Sequence, residues 1–209
     1  ASSTCTREVL IFNQDANVSP GVVALDKGTG RTRWRVERPA TKARNTGSFC
    51  TPLVIEVNGC PQVISQGSGI VQALEPTNGR EIWHAFYGMG YSVVPRPIFA
   101  HGMLFLSSGF DKGVALAIRA DGQGDVTATH VDWTATKHIP TSPSMLVVGE
   151  ELYMLDDTGF LTCVDARTGA EHYQERLLGP CTASPLFADG RIYAIDERGR
   201  TAVVVPGRI

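Results

Sequence analysis

Four proline-led segments recur along the chain at nearly even spacing, and this repeat constrains the fold more than any other sequence feature. Each segment begins with a polar or charged residue and a proline and continues into apolar residues. The prolines stand 45, 46 and 42 residues apart in Thr51-Pro52-Leu53-Val54, Arg96-Pro97-Ile98-Phe99, Ser142-Pro143-Ser144-Met145 and Ser184-Pro185-Leu186-Phe187. A period of about 40–50 residues that contains only strand-like segments is typical of β-propeller blades.

A second pattern lies between these starts and combines an acidic residue, a glycine and an aromatic residue. The acidic side chain begins a turn, where it can accept backbone N–H groups two or three residues further on. The glycine ends the turn in a left-handed conformation, and the aromatic residue four positions later can wedge against a neighbouring sheet. We therefore predict that one set of residues docks each blade on the next: Asp26, Gly30, Trp34, Gly79, Trp83, Asp165, Gly169 and Tyr173.

The strand-like segments of one period predict a four-stranded meander, whose strands we letter a to d. In the second period, strand a is 51–57, strand b is 61–66, strand c is 69–75 and strand d is 80–86. The fold class is therefore all-β, a propeller of four-stranded antiparallel blades in a single domain over residues 1–209. The predicted blades are 7–46, 51–92, 96–139, 142–178 and 184–209.

The first and the last of these blades are predicted to be partial. Residues 8–38 supply strands b, c and d only, and residues 184–205 supply strands a, b and c only. These two parts do not add up to one blade, so they do not close a ring. Since propellers carry about 4–8 blades, we expect an arc of about five blades, three complete and two partial, from a seven- or eight-bladed ring.

Composition argues against several classes of function. The formal net charge of −2 disfavours nucleic acid as a partner, and no stretch approaches the ~18 apolar residues of a transmembrane helix. Four arginines alternate along one segment, and we predict them on its solvated face: Arg31, Arg33, Arg35 and Arg38. The cysteines lack the spacing of a zinc site, and we expect at most one disulfide among Cys5, Cys50, Cys60, Cys163 and Cys181.

The second pattern resembles the repeat of the pyrroloquinoline-quinone (PQQ)-like β-propeller family. The tryptophan-docking pattern of that family is close to Ala-x-Asp-x-x-Thr-Gly-x-x-x-Trp. It is matched by Ala24, Asp26, Thr29, Gly30 and Trp34, while two further copies depart from it with Glu75 at the acidic position and Tyr173 at the aromatic position. The resemblance covers nearly the whole chain and is greatest to secreted bacterial members.

The family contains two functional classes, and the docking pattern occurs in both. One class comprises quinoprotein dehydrogenases, eight-bladed enzymes that hold PQQ and Ca²⁺ at the propeller axis. The other comprises binding propellers without a cofactor, such as the outer-membrane-protein assembly lipoprotein. The enzymes carry an adjacent cysteine pair over the quinone, whereas the nearest cysteines in this sequence are Cys50 and Cys60.

The resemblance therefore implies a non-catalytic binding or scaffold module in the cell envelope, periplasmic or secreted, with no cofactor. Its partner would be another protein or a polymer at the propeller face, with neither nucleic acid nor a transmembrane segment. The alternative is a fragment of a PQQ- and calcium-dependent quinoprotein dehydrogenase. No residue of the chain is assigned a catalytic or cofactor-binding role.

The family binds ligands at the end of the ring that the d–a and b–c connections form, and we call this end the ligand face. Cations with a few carboxylates in such a funnel could receive an anionic ligand or a peptide. The candidates in d–a connections are Arg44, Asn45, Tyr91, Arg96, Lys137 and His138. Those in b–c turns are Asp111, Lys112, Asp156 and Asp157.

One turn of the third blade has some of the features of a calcium loop. The segment Asp121-Gly122-Gln123-Gly124-Asp125 has two aspartates and flexible glycines that could surround a hard cation. It lacks the remaining ligands of an EF-hand loop. Asp121 and Asp125 are therefore weak metal candidates, and a plain surface turn is the favoured interpretation.

Overall fold

Twenty strands make up the computed structural model, which describes residues 3–6, 8–15, 19–111 and 113–208; no helix occurs among these residues. The first ten strands are β1 (Ser3–Cys5), β2 (Val9–Gln14), β3 (Gly21–Asp26), β4 (Thr32–Glu37), β5 (Leu53–Val57), β6 (Cys60–Gly67), β7 (Ile70–Leu74), β8 (Glu81–Phe86), β9 (Ile98–Ala100) and β10 (Met103–Ser107). The other ten are β11 (Ala115–Arg119), β12 (Gly124–Asp125), β13 (Val131–Ala135), β14 (Leu146–Val148), β15 (Glu151–Leu155), β16 (Phe160–Asp165), β17 (Glu171–Arg176), β18 (Leu186–Ala188), β19 (Arg191–Ile195) and β20 (Thr201–Val204).

The strands form five sheets that follow one another along the chain. The sheets are β1–β4, β5–β8, β9–β11 with β13, β14–β17 and β18–β20, and within each the strands pair in chain order. Each sheet is thus an antiparallel meander of the kind that builds a propeller blade. The predicted all-β fold, an open arc of propeller blades, is confirmed.

The hydrophobic core lies between the blades, because each blade presents apolar side chains to both neighbours. Four clusters join successive blades, and the one between the second and third blades includes Ile64, Trp83, Leu104 and Ile118. Strands inside the arc, such as β7 and β10, are buried along their whole length. Burial on both faces explains why these strands are almost continuously apolar in sequence.

The two ends of the arc differ from its interior. In the last blade, cross-strand neighbours Leu186, Tyr193 and Val203 share one face, and Leu186 and Val203 are 62% and 54% exposed. A Cβ added at Gly30 of the first blade would have no other part of the described chain within 4 Å. At the equivalent Gly79 of the second blade, the ring of Trp34 from the preceding blade occupies this space. The arc is therefore open at both ends.

Two strand starts differ from the sequence prediction. The first blade was expected to begin with strand b, but the structure adds a short strand a, β1, in which Ser3 pairs with Phe12. In the fourth blade, Pro143 was aligned with the other prolines, yet strand a begins three residues later at Leu146. Ser144 there occupies the place of Arg96 and Ser184, since each of these residues stands two positions before its strand.

The turns between strands c and d follow one design in the first, second and fourth blades. In the first blade, the Asp26 carboxylate accepts the backbone N–H groups of Gly28 and Thr29 at 3.0 and 2.8 Å. Gly30 then adopts a positive φ of 72°, and a β-bulge follows Ala24 in the paired strand. A left-handed glycine next to a bulge is the geometry that hairpin loops of this length favour.

The aromatic residue of strand d reaches the c–d turn of the next blade. The indole N–H groups of Trp34, Trp83 and Trp133 donate to the carbonyls of Pro76, Ala120 and Ala166 at 3.0, 3.1 and 3.0 Å. The ring of Trp34 lies on Gly79, where an added Cβ would stand 2.8 Å from ring atoms. A bare glycine is therefore required under the ring here, and likewise at Gly169 under Trp133.

The third blade departs from this design in its c–d connection. Residues Gly124–Asp125 form β12, which pairs in parallel with β8 of the second blade, with Gly124 opposite Trp83. The Val126 N–H also donates to the carbonyl of His84 at 2.9 Å. This connection therefore adds a fifth strand to the neighbouring sheet before strand d of its own blade begins at Val131.

Replacement of Trp83 tests the blade joint. Trp83 is fully buried, so Trp83→Ala should lower the free energy of unfolding by ~3–5 kcal/mol, as expected for the loss of a buried aromatic. Urea denaturation measures this quantity. Leu186→Ala is the matched control, because an exposed residue should cost about 0.5 kcal/mol or less. A loss under ~1 kcal/mol for Trp83→Ala would contradict the joint.

The c–d turn of the first blade should contribute a pH-dependent stability. Hydrogen bonds from Arg33 and Thr29 lower the pKa of Asp26 from 3.8 to about 2. A carboxylate with a lower pKa in the folded state stabilises the fold above its unfolded pKa, and this contribution is lost as the pH falls through the folded pKa. Asp26→Asn should thus lower Tm above about pH 4, with the difference from the parent closing towards pH 2.

Thermal melts between these pH values measure the effect, and Asp189→Asn at an exposed hairpin tip is the control. A Tm difference for Asp26→Asn that stays constant over this range would contradict a lowered pKa of Asp26 in the folded state.

Candidate functional site

The loops of the ligand face are tied together by buried polar side chains at the ends of the b strands. Asn13 Nδ2 donates to the Cys50 carbonyl at 3.0 Å, in the connection between the first two blades. Gln66 Nε2 donates to the Ser107 carbonyl at 2.6 Å, and Ser107 Oγ donates to the Pro140 carbonyl at 2.5 Å. Since these side chains are buried, each one fixes the position of a loop above it.

A buried ion pair supports the same face between the first and second blades. Arg38 Nε and Nη2 contact both oxygens of Asp15 at 2.6 and 2.9 Å, and the two side chains are 3% and 0% exposed. Arg38 also donates to Ser65 Oγ at 2.9 Å and to Gln72 Oε1 at 3.1 Å. Burial raises the pKa of the Asp15 carboxyl, and the bonds to Arg38 offset only part of this.

Three loops of the ligand face are hydrogen-bonded to one another through their backbones, and we call them together the loop platform (residues 47–49, 91–94 and 108–111). Ser48 forms a parallel bridge with Val93, and Tyr91 forms an antiparallel bridge with Phe110. The Ser48 hydroxyl also donates to the Gln66 carbonyl at 2.7 Å. The platform is therefore anchored on the buried polar side chains beneath it.

Beside the platform, the inner strands of the blades line a groove of about 540 Å³, the axial groove. Its walls come from residues at strands β5, β9 and β14 and from the residues before β18. At the strand starts, the Arg96 N–H donates to Ser144 Oγ at 3.0 Å and the Ser144 N–H donates to Ser184 Oγ at 2.9 Å. A row of hydroxyls thus links three successive blades along the groove.

His138 and Asp156 form a pair at the fourth blade. His138 Nδ1 lies 2.7 Å from an oxygen of the buried Asp156 carboxylate, and the imidazole stands 4.3 Å from the ring of Phe160. Burial acts to raise the pKa of Asp156, but hydrogen bonds from Phe160 N, His138 and Thr158 outweigh it and lower that pKa. The carboxylate therefore orients the imidazole at the edge of the ligand face.

The other candidates of the ligand face occupy separate positions. Arg44, Lys137 and Asp111 are exposed loop residues, and Asp111 has a φ of 84°. Asp157 accepts the Thr141 N–H at 2.6 Å and so shapes the connection into the fourth blade. Lys112 lies outside the described residues.

The two weak metal candidates have different partners. Asp121 lies 3.7 Å from His130, whereas Asp125 lies 3.9 Å from His84 of the second blade and accepts the Thr127 N–H at 2.9 Å. Within the described part of the chain, no group of three or more His, Cys, Asp and Glu side chains is placed to hold a metal ion. The described residues also contain no helix with the length and apolarity that a membrane crossing requires.

The prediction that Arg38 lies on a solvated face is wrong, because its side chain is buried. The alternation that exposes Arg31, Arg33 and Arg35 stops at the end of β4, and Arg38 turns into the joint with the second blade. Ser144 and Ser184 were also not recognised as site residues. Their position two residues before strand a is a signal that only a correct strand alignment reveals.

Replacement of Arg38 tests the buried ion pair. Arg38→Met leaves Asp15 buried without its partner, and this should lower the free energy of unfolding by ~3–5 kcal/mol. Adding Asp15→Leu should restore much of the loss, because an apolar pair of similar volume avoids the buried charge.

Arg167→Met is the matched control, since Arg167 and Glu150 form an ion pair that is 57% and 54% exposed; its cost should stay within about 1 kcal/mol. Chemical denaturation of the four proteins gives these values. A loss for Arg38→Met no larger than that of the control would contradict the prediction.

Comparison with known sequences gives a consistent assignment. The sequence profile of the family described as outer membrane protein assembly factor BamB matches residues 3–124 and 120–205. Two curated proteins with that name are similar: one from Alkalilimnicola ehrlichii (strain ATCC BAA-1101 / DSM 17681 / MLHE-1) is 27% identical over 161 residues, and one from Legionella pneumophila (strain Paris) is 24% identical over 185 residues. The matches cover 75% and 84% of this chain but 40% and 44% of the relatives. The chain thus spans about two fifths of their length.

Two solved structures share the fold. BamB from Moraxella catarrhalis has a TM-score of 0.67 at 17% identity, over 95% of this chain and 58% of that chain. Quinohemoprotein alcohol dehydrogenase from Comamonas testosteroni also has a TM-score of 0.67, at 15% identity, over 92% of this chain and 43% of that chain. These structural likenesses show the fold alone, whereas the profile spans nearly the whole chain. The chain therefore belongs to the outer membrane protein assembly factor BamB family, within the PQQ-like repeat β-propellers.

Proposed function

We propose that the chain is part of a non-catalytic β-propeller that acts as a binding scaffold in the bacterial cell envelope. The observation that carries this proposal is that the residues that dock the blades lie at one end of the blades and the exposed loop charges lie at the other. The tryptophan joints lie at the c–d turns, while the opposite end presents loops whose exposed charges are not used in blade docking. The name of the matched family, an outer membrane protein assembly factor, supports a protein as the partner.

The axial groove does not have the donors that PQQ-dependent chemistry with Ca²⁺ needs. Calcium takes six to eight oxygen ligands, among them carboxylates, but the only ionisable side chain in the lining of the groove is the cation Arg96. The sequence also lacks an adjacent cysteine pair. The lining of the axial groove therefore does not fit that cofactor, and the dehydrogenase alternative rests on likeness of fold alone.

The alternative can be tested by adding PQQ and Ca²⁺ to the purified protein and measuring the reduction of an electron-accepting dye with alcohols as substrates. We expect no reduction above that of protein without PQQ, because the groove lacks carboxylates for the metal. Turnover that depends on both PQQ and Ca²⁺ would overturn the non-catalytic assignment.

The binding function can be tested by placing a photo-cross-linking amino acid at Arg44 or Lys137 and inducing the cross-link in cells that express the protein. Discrete protein adducts should form from both positions, since both side chains are exposed on the ligand face. The matched control positions are Asn58 and Asp189, which lie at a–b hairpin tips on the opposite end of the blades. Equal adducts from both ends would contradict a scaffold that binds through its ligand face.

A further inference from the structure

The exposed large apolar side chains of the described chain fall into two groups. Five belong to the last blade, at the open end of the arc: Leu186, Phe187, Ile195, Val203 and Val205. The other three are Phe49, Val94 and Phe110, which are 56%, 42% and 43% exposed. These three lie on the loop platform in the middle of the arc, between blades that are present on both sides. An open end of the arc therefore explains the first group but not the second.

The platform holds its apolar side chains outward by backbone pairing. Ser48 and Val93 are buried and face each other in a parallel bridge. Phe49 and Val94 follow them in register, and the Phe49 N–H donates to the Val93 carbonyl at 2.7 Å. Phe110 is fixed by its own bridge to Tyr91. Because the backbone of these residues is held in place before binding, little backbone entropy is lost on binding, which favours their use as anchors.

The charges around the platform are mostly positive. In its loops and their flanks, Lys42, Arg44 and Arg96 are exposed cations, and Asp111 is an exposed carboxylate. None of the three cations forms an ion pair with a residue that the structure describes. An apolar surface rimmed by unpaired cations is complementary to an acidic segment that carries a large apolar residue.

The axial groove adds hydrogen-bond donors next to this surface. Arg96 lines the groove and stands two residues after Val94, so it connects the groove with the platform. The Ser144 and Ser184 hydroxyls, which also line the groove, each accept a backbone N–H. Among the described residues, no hydrogen-bond acceptor pairs with the hydroxyl proton of Ser144 or of Ser184. One guanidinium and two hydroxyl donors are a suitable set for a carboxylate.

We propose that the loop platform and the mouth of the axial groove form one docking site for an extended acidic segment of a partner protein. A large apolar residue of the segment packs on Phe49, Val94 and Phe110, and a neighbouring carboxylate binds Arg96, Ser144 and Ser184. This inference rests on the proposed scaffold function and specifies the chemistry of its partner. A recessed donor set favours a protein segment over a flat anionic bilayer, which cannot enter a groove.

Fluorescence anisotropy with defined peptides tests the proposal. The probe is a short labelled peptide with phenylalanine and leucine flanked by glutamates. One comparison peptide has lysines in place of the glutamates, and another has serines in place of the two apolar residues. The acidic apolar peptide should bind at least about tenfold more tightly than either comparison peptide, and its affinity should fall with added salt. Equal binding of the lysine peptide would overturn the proposal.

Variants locate the site on the surface. Arg96→Glu should weaken binding of the acidic peptide at least about tenfold, and Phe49→Ala combined with Phe110→Ala should weaken it about fivefold or more. The matched controls are Arg191→Glu and Leu186→Ala, which change an exposed cation and an exposed apolar residue on the last blade. They should leave the affinity unchanged. A loss in the Leu186→Ala protein equal to that of the platform variant would place binding on the open blade face and refute the site.

Two further outcomes separate the possibilities. Sedimentation with phosphatidylglycerol vesicles, without binding of the acidic peptide, would replace the proposed partner with a membrane. If no peptide preference exists while cross-links from Arg44 and Lys137 persist, the docking site proposed here is wrong and the scaffold function stands. If the cross-links are absent as well, both the docking site and the scaffold function are wrong.

Discussion

The fold depends on one repeated interaction, the contact between the indole of strand d and the c–d turn of the following blade. At three of the joints the indole N–H binds a carbonyl, as Trp83 does with Ala120, and at Gly79 and Gly169 a bare glycine lies under the ring. At the joint between the fourth and fifth blades, Tyr173 packs against the buried apolar cluster. No sheet has a core of its own, because the buried apolar clusters all lie between two sheets. Stability in such an array is approximately the sum of nearest-neighbour contacts, so the joint determines whether blades stack at all.

The location of these joints leaves the ligand face free for another role. The indole contacts are confined to the end of the blades that carries the c–d turns, and the b–c and d–a loops lie at the other end. There, buried groups such as the Asp15–Arg38 pair, Gln66 and Ser107 hold the loops in place from below. Substitution of exposed loop residues can therefore change binding without disturbing the blade joints. This separation is the physical basis for proposing that a propeller with purely structural repeats acts as a scaffold.

Sequence patterns predict structure most reliably where a residue acts through its own backbone neighbourhood. The acidic residue and glycine of a c–d turn act within a few residues, and the turn at Asp26 to Gly30 has the expected hydrogen bonds and positive φ. Predictions failed where the partner is distant in sequence. Pro143 looks like the other prolines, yet strand a starts at Leu146, and Arg38 continues a pattern of exposed arginines but is buried.

The residues of the proposed docking site also show that contacts between distant parts of the sequence are hard to predict. Arg96 is predicted from the sequence because it is a cation in a d–a connection. Phe49, Val94 and Phe110 were not identified, because nothing in their local sequence distinguishes exposed apolar residues from core residues. Their exposure follows from bridges between separate loops, Ser48 with Val93 and Tyr91 with Phe110, whose partners stand 45 and 19 residues apart in the sequence.

The sequence by itself determined the all-β propeller class, the repeat and the residues that make its turns, since these depend on local geometry and on a periodic pattern. The tertiary structure decided which parts of different blades are in contact. These contacts are the pairing of β12 of the third blade with the sheet of the second blade, the burial of Arg38, the row of hydroxyls at Ser144 and Ser184, and the loop platform. The physical reason is that these contacts join separate blades. Their geometry depends on how the sheets stack, which no single repeat encodes.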